Sequence, residues 1–193
     1  MPNWSSNRLY VTGKPEEVKE FTDTLGTADA NGMESDFSFH QTVPMPSNVA
    51  RGNLPFGEEP VLNWYDWSIE NWGTKWDACD VEPDISVMIK AEVVLAIAAK
   101  DESLCIDIGF ETAWAPPTDW LENVSKKFPK LHFEIAYSEQ GMGFCGTVVA
   151  INGELTDNPL EGGCTFSEDE DEEYMPTGEY ADFIERHSIG CGG

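Results

Sequence analysis

Six acidic residues stand in one unbroken run: Glu168, Asp169, Glu170, Asp171, Glu172 and Glu173. Carboxylates at that density have two chemical uses, ligating a divalent cation or pairing with cationic side chains of another molecule. An EF-hand loop needs glycine at its sixth position and glutamate at its twelfth. Counted from Asp169, those positions hold Tyr174 and Tyr180, so the run is not such a loop. Asp157, Glu161 and Glu179 extend the acidic tract. Across residues 154–193, twelve acids against one base leave a net charge of -11, and the first 153 residues carry the other -14 of the total -25. A salt-sensitive surface for a basic partner is the expectation, with Asp157, Glu161, Glu168 to Glu173 and Glu179 as its contacts.

Other residues capable of chemistry are scattered. His40, His132 and His187 lie far apart, without the close spacing of a preformed zinc site. A catalytic set would have to be assembled across strands, and His132, Glu134 and Asp107 are the candidates. "GMGFCG" has the spacing G-x-G-x-x-G at Gly141, Gly143 and Gly146. A dinucleotide site requires that pattern to open a helix, whereas "TVVAING" after it reads as a strand, so a tight turn is expected. There is no G-x-S-x-G, and the cysteines, Cys79, Cys105, Cys145, Cys164 and Cys191, form no C-x-x-C. Neither catalysis, nor a cofactor, nor a metal is expected.

The stretch "NWYDWSIENWGTKWDACD", Asn63 to Asp80, holds four of the seven tryptophans. Trp64, Trp67 and Trp72, with Ile69, fall at helical spacing, and Gly73 ends that helix. Each indole buries about 200 Å², so packing is the favoured reading, as a cover for the sheet face that the helices leave open. Tyr65, Asp66, Glu70 and Asp77 are then candidates for a partner-binding rim. Base stacking on these rings would need flanking cations, and Lys75 stands alone.

The elements that must position these groups follow from periodicity. "NRLYVTG" reads as a strand. "KPEEVKEFTDTLG" reads as a helix with Pro15 and two glutamates at its start and Val18, Phe21 and Leu25 on one face. "DFSFHQTVPMP" alternates Phe37 and Phe39 as a strand would. Residues 81–103 are ambiguous, with a lean towards strand and then a short helix or turn. Leu104 to Pro117 alternates as a strand, and "TDWLENVSKKFP" reads as a helix capped by Thr118. Leu131 to Glu139 and Gly143 to Leu155 read as strands, the second turning at Asn152-Gly153. This order is the split βαβ, ferredoxin-like α+β plan: an antiparallel sheet with two helices on one face. It implies a domain over residues 1–153, with an aromatic-rich insertion at about 47–103, and an acidic C-terminal extension over 154–193.

Thirty-six acids against eleven bases weigh against direct nucleic-acid binding, which needs clustered Lys and Arg. No apolar run is long enough to span a bilayer, and "MPNWSSNRLY" lacks the apolar core of a signal peptide. A soluble cytoplasmic protein is expected. The charge of -25 equals that on about 12 base pairs of duplex, in a domain of similar dimensions.

Six separated motifs, "MPNWSSNRLYVTG", "PEEVKEF", "FSFHQTVPMP", "WYDWSIENWGTKWDA", "ETAWAPP" and "GMGFCG", resemble a family carried by phages and plasmids and named for a YubB-type ferredoxin-like domain. The resemblance spans roughly residues 1–150 and leaves the acidic tail outside. It implies the ferredoxin-like fold and a mobile-element setting in a host cytosol, and it carries no catalytic residues. Together with the charge it leads to an expected function: binding and inhibiting a basic host nucleic-acid-handling or defence protein, or a nucleoprotein complex, through a surface that imitates DNA. The alternatives are an acidic interaction module without mimicry, and an enzyme built on the scattered set.

Overall fold

The computed structural model describes residues 3–26, 35–51, 63–83, 85–167 and 175–190. Its centre is a six-stranded antiparallel sheet in the order β2-β3-β1-β4-β5-β6. The strands are β1 (Trp4–Gly13), β2 (Cys79–Glu82), β3 (Leu104–Ala113), β4 (His132–Glu139), β5 (Phe144–Ile151) and β6 (Glu154–Pro159). Helices α1 (Pro15–Thr22) and α5 (Thr118–Lys127) follow β1 and β3, so the first four strands make the split βαβ of a ferredoxin-like domain. β5 and β6 widen the sheet beyond β4.

Alternation divides the sheet into two faces. Leu9, Val11, Ile106, Ile108, Phe110, Phe133, Ile135, Val148 and Ala150 point to the side of α1 and α5 and are fully or almost fully buried. α1 starts as its sequence suggests: Pro15 opens it, and the Glu17 carboxylate accepts the Lys14 amide. α5 differs at its start. Thr118 is its first helical residue, and Pro117 holds the cap position without a side-chain bond.

Two segments depart from the periodicity reading. Phe37 and Phe39 do not lie in a strand; Ser38 caps a one-turn helix, α2 (Phe39–Thr42). Ser38 and Gln41 form a capping box, with the His40 amide donating to Ser38 Oγ and the Ser38 amide to Gln41 Oε1. Both phenylalanines face the core, which a single turn achieves as well as alternation does. The second strand of the plan is Cys79–Glu82, inside the stretch expected to be an insertion. Residues 85–99 are helical, a π-helical turn at Ile85–Ile89 running into α4 (Lys90–Ala99). The strand-like run of β-branched residues there is misleading, because Ile89, Val93 and Ala96 turn inward at helical spacing while Val87, Val94 and Leu95 are exposed.

The aromatic stretch forms α3 (Trp64–Trp72), with Asn63 Oδ1 accepting the Asp66 amide and Gly73 ending it at φ 78°. It does not cover the open sheet face. It packs beside α5 on the same side as α1, where Trp67 and Trp72 join Phe37, Phe39, Phe110 and Trp120 in one aromatic cluster. The buried indoles are satisfied: Trp72 Nε1 donates to the Val43 carbonyl at 3.0 Å and Trp120 Nε1 to Thr42 Oγ1 at 2.8 Å. Ile69, expected on the packed face, is exposed instead. The opposite sheet face is covered by α6 (Gly178–His187).

Candidate functional site

The C-terminal region is built from two kinds of residue with separate tasks. Tyr180, Phe183 and Ile189 are buried against Ala136 of β4 and Cys145 of β5, and these contacts seat α6 on the sheet. Ser138 Oγ and Tyr180 Oη hydrogen-bond at 2.8 Å, and the Tyr10 hydroxyl lies 3.3 Å from His187 Nδ1. Thr165–Ser167 and Met175–Thr177 pair through backbone hydrogen bonds, which fixes the approach to the helix. Glu179, Asp182 and Glu185 lie on its solvent side and are exposed. With Tyr180 and Phe183 fixed inward, the helical period forces those acids outward. Arg186, also exposed, is the one Lys or Arg of this helix.

Asp157 and Glu161 are exposed on and just after the edge strand β6, and Asp157 Oδ1 accepts the Tyr137 hydroxyl at 3.1 Å. Burial and the Asp157 carboxylate push the Tyr137 phenol well above its ordinary range. Glu168, Asp169, Glu170, Asp171, Glu172 and Glu173 lie outside the described residues. Among the described residues the ion pairs are Arg8–Asp107, Lys19–Asp23, Lys126–Glu122 and Lys130–Glu17. None uses an acid of β6 or α6.

The aromatic rim divides. Tyr65, Asp66 and Glu70 are exposed on α3. Asp77 is not available in the same way, because its carboxylate accepts Ser38 Oγ at 2.5 Å, the Phe39 amide at 2.6 Å and the Ala78 amide at 2.9 Å. Burial raises its pKa, against the lowering effect of those hydrogen bonds. Its position is the N-terminus of α2. Of the four tryptophans, Trp67 and Trp72 are core, Trp64 is half-buried, and Trp76 is exposed, with its ring 5.9 Å from Trp4 and beneath the Lys75 ammonium at 4.7 Å.

The sheet does gather the scattered set. Asp107, Tyr10 and Glu134 occupy one cross-strand row, with Thr12 and His132 in the next. Asp107 pairs with Arg8. Two clefts open on this side. One, of about 510 Å³, is lined by Arg8, Glu82, Pro83, Met88, Ile89, Glu92 and Asp107. The other, of about 230 Å³, runs from Arg8 and Glu111 to Ser188 at the end of α6. His132 and Glu134 line neither, so no described cavity holds all three groups. Glu111 has its carboxyl raised by burial and by Asp80.

The remaining chemistry is structural. His40 lies in α2, not in a strand, and its Nδ1 accepts the Met45 amide at 3.0 Å. The glycine motif opens β5, and its turn is organised by Glu139, a fully buried carboxylate that accepts the Gly141 and Met142 amides at 2.8 and 2.7 Å. Gly146 is required by close approach, since a Cβ there would meet the Asn158 carbonyl at 2.7 Å. Among the described residues no group of His, Cys, Asp and Glu has the arrangement of a metal site. None of the described helices is long and apolar enough to cross a membrane. No role follows from sequence for Arg8, Tyr10, Asp182 or Glu185, and His187 enters there only as a candidate zinc ligand. The inward spacing of Tyr180, Phe183, Ile184 and His187 was the available signal for Asp182 and Glu185.

Residues 96–177 match the family model described as the ferredoxin-like domain in Api92-like protein. That match begins later than the motifs that suggested a family and ends beyond them, taking in the acidic run. No curated protein matches the chain. A similar solved structure is the crystal structure of a protein api92 from Yersinia pseudotuberculosis, at 12% identity and a TM-score of 0.49, covering 86% of this chain and all of that one.

Proposed function

We propose that the chain is a non-catalytic binding protein whose acidic C-terminal surface occupies the basic, nucleic-acid-binding surface of another protein. The observation that carries this reading is the division of labour in α6. Its apolar residues are spent on the sheet, while Glu179, Asp182 and Glu185 face solvent with no basic partner among the described residues. Acids three residues apart advance about 4.5 Å along a helix, against about 3.4 Å per phosphate along one strand of duplex. Glu161 and the run Glu168 to Glu173 adjoin this helix in sequence and add to the same charge. The resemblance of the separated motifs to a family of phages and plasmids supports a host defence or nucleic-acid-handling protein as the target.

A specific observation favours the plainer reading of an acidic interaction module. Exposed carboxylates also decorate α1 at Glu16, Glu20 and Asp23 and α3 at Asp66 and Glu70, so acidity is not confined to one side. The two readings separate in one experiment. Immobilised protein is exposed to a bacterial lysate at low salt and eluted first with duplex DNA, then with high salt. Mimicry expects nucleic-acid-binding proteins in the DNA eluate, and their loss when Glu179, Asp182 and Glu185 become Gln, Asn and Gln. A partner that DNA does not displace, or that ignores those substitutions, overturns it.

A further inference from the structure

On the far side of the sheet from α6, a second surface has a different chemistry. Helix α4 is apolar on both sides. Ile89, Val93 and Ala96 turn inward, and Lys90 reaches the Leu25 carbonyl at the end of α1. Met88, Ala91, Val94, Leu95 and Ala98 turn outward at helical spacing, and Leu95 is 70% exposed. A solvent-facing helix of a globular domain ordinarily places polar residues on that side. Contiguous exposed apolar side chains of this kind mark interaction sites, whereas single ones do not.

The surroundings of the stripe say what kind of partner fits. Met88 and Glu92 also line the cleft of about 510 Å³, whose other walls include Glu82 and the Arg8–Asp107 ion pair. Exposed Asp101 and Glu102 stand just past the C-terminal end of the helix. The apolar stripe is thus bordered by Glu82, Glu92, Asp101 and Glu102, whose carboxylates form no ion pair among the described residues. Lys100 is the exposed base at its end, and Arg8 in the cleft is neutralised by Asp107. A second copy of this chain would bring like charges together.

We infer that the outer face of α4 is a docking groove for a basic amphipathic helix of a partner protein. Apolar residues of that helix lie on Val94, Leu95 and Met88, and its Lys or Arg side chains enter the cleft beside Glu82 and Glu92. This is helix-in-groove recognition, with side chains at i, i+3, i+4 and i+7 as anchors. The apolar anchor on α4 is separate from the acidic surface on α6, although the cleft beside it reaches round the β2 edge to Arg8 and Asp107 on the α6 face. A chain with both would hold a partner through one apolar anchor and one electrostatic contact.

The test uses the full chain and a designed probe, a fluorescent leucine-lysine amphipathic helix of about 18 residues, read by anisotropy at about 0.3 M salt to suppress non-specific attraction. The wild-type chain should bind this probe and not the leucine-glutamate probe of the same pattern. Leu95→Ser should weaken binding roughly tenfold or more, from lost apolar burial. Glu92→Gln should weaken it about two-fold, in a salt-dependent way. The triple Gln/Asn/Gln variant of α6 should bind the probe nearly as the wild type does. Circular dichroism melts check that each variant is folded, and both substituted side chains are exposed. Equal binding of the two probes, or indifference to Leu95→Ser, overturns the inference. So does a sedimenting dimer that Leu95→Ser dissociates, because the groove would then be filled by a second copy.

Discussion

Replacing Tyr180 with phenylalanine asks directly whether α6 belongs to the folded body. The ring keeps its place against Ala136, Cys145 and Phe183, and only the hydroxyl is lost. Ser138, fully buried, then keeps only the Cys164 thiol at 3.9 Å, a weak partner. Stranding a buried hydroxyl costs about 1–3 kcal/mol, or roughly 3–6 °C in melting temperature for each 1.5 kcal/mol at this chain length. Ser138→Ala should cost about 1 kcal/mol, as the tyrosine hydroxyl loses the same bond. The double variant lacks both groups and should be less destabilised than the sum, with a coupling of about 1 kcal/mol. Urea unfolding of the four proteins, followed by tryptophan fluorescence and circular dichroism, measures it. Additivity within about 0.3 kcal/mol would refute the argument, since the hydroxyls would not be in contact and α6 would not be seated.

Glu139→Gln exchanges a carboxylate that accepts two amides for an amide with one acceptor, so it should destabilise by about 2 kcal/mol, read as a fall in the urea midpoint without change in slope. His187 is held below its ordinary 6.5 by burial, opposed by Glu134 and assisted by Arg186, with Tyr10 and Phe183 against its ring. The unfolded chain therefore takes the proton first. Stability present above pH 6.5 should decline as pH falls through the folded value, and His187→Gln should flatten that decline in melts between pH 7 and about 5. Among the described cysteines, alkylation followed by mass spectrometry should mark exposed Cys105 first. Cys79, pushed to about 11 mainly by burial, and Cys145, pushed to about 12 by burial and by Cys164, should react slowly until the chain unfolds.

The ferredoxin-like plan was legible wherever one face of an element is buried and the other wet, as in β1, β3, α1 and α5. It was illegible where that contrast fails. α4 is apolar on both sides, so its run of Val93 and Val94 resembled a strand. β2 is four residues long and too short to show a period. Phe37 and Phe39 are both inward, and two residues are too few to separate a strand from a capped turn; Ser38 and Gln41 held the missing cue. At the candidate site, exposure of the acids followed from composition. The seating of α6 by Tyr180 and Phe183 required knowing that the second sheet face was uncovered by α3, which no local pattern reports. Asp77 likewise looks like any rim acid until the fold brings Ser38 and Phe39 to it.

The acids of the chain do not all stand in places that local physics favours, and that difference bears on function. Glu16 and Glu17 lie at the start of α1, Asp66 at the start of α3 and Glu179 at the start of α6, where the helix dipole stabilises negative charge. Asp23 and Glu122 are paired with lysines one turn away. Asp182 and Glu185 have neither benefit. Asp182 is mid-helix, and Glu185 stands in the last turn of α6, where the dipole opposes it at a cost of about 0.3–1 kcal/mol. Burial of Tyr180 and Phe183, at about 1.5–3 kcal/mol apiece, outweighs that cost and keeps the helix seated. Solubility would be served equally by acids at favourable positions. A charge kept where it weakens its own helix, as Glu185 is, is better explained by a cationic surface that meets it from outside. An Asp182→Asn/Glu185→Gln variant, which keeps Glu179 at the favourable N-terminus, should therefore melt no lower than the wild type. If it melts lower, those carboxylates support the fold, and the case for a partner at α6 loses its physical basis.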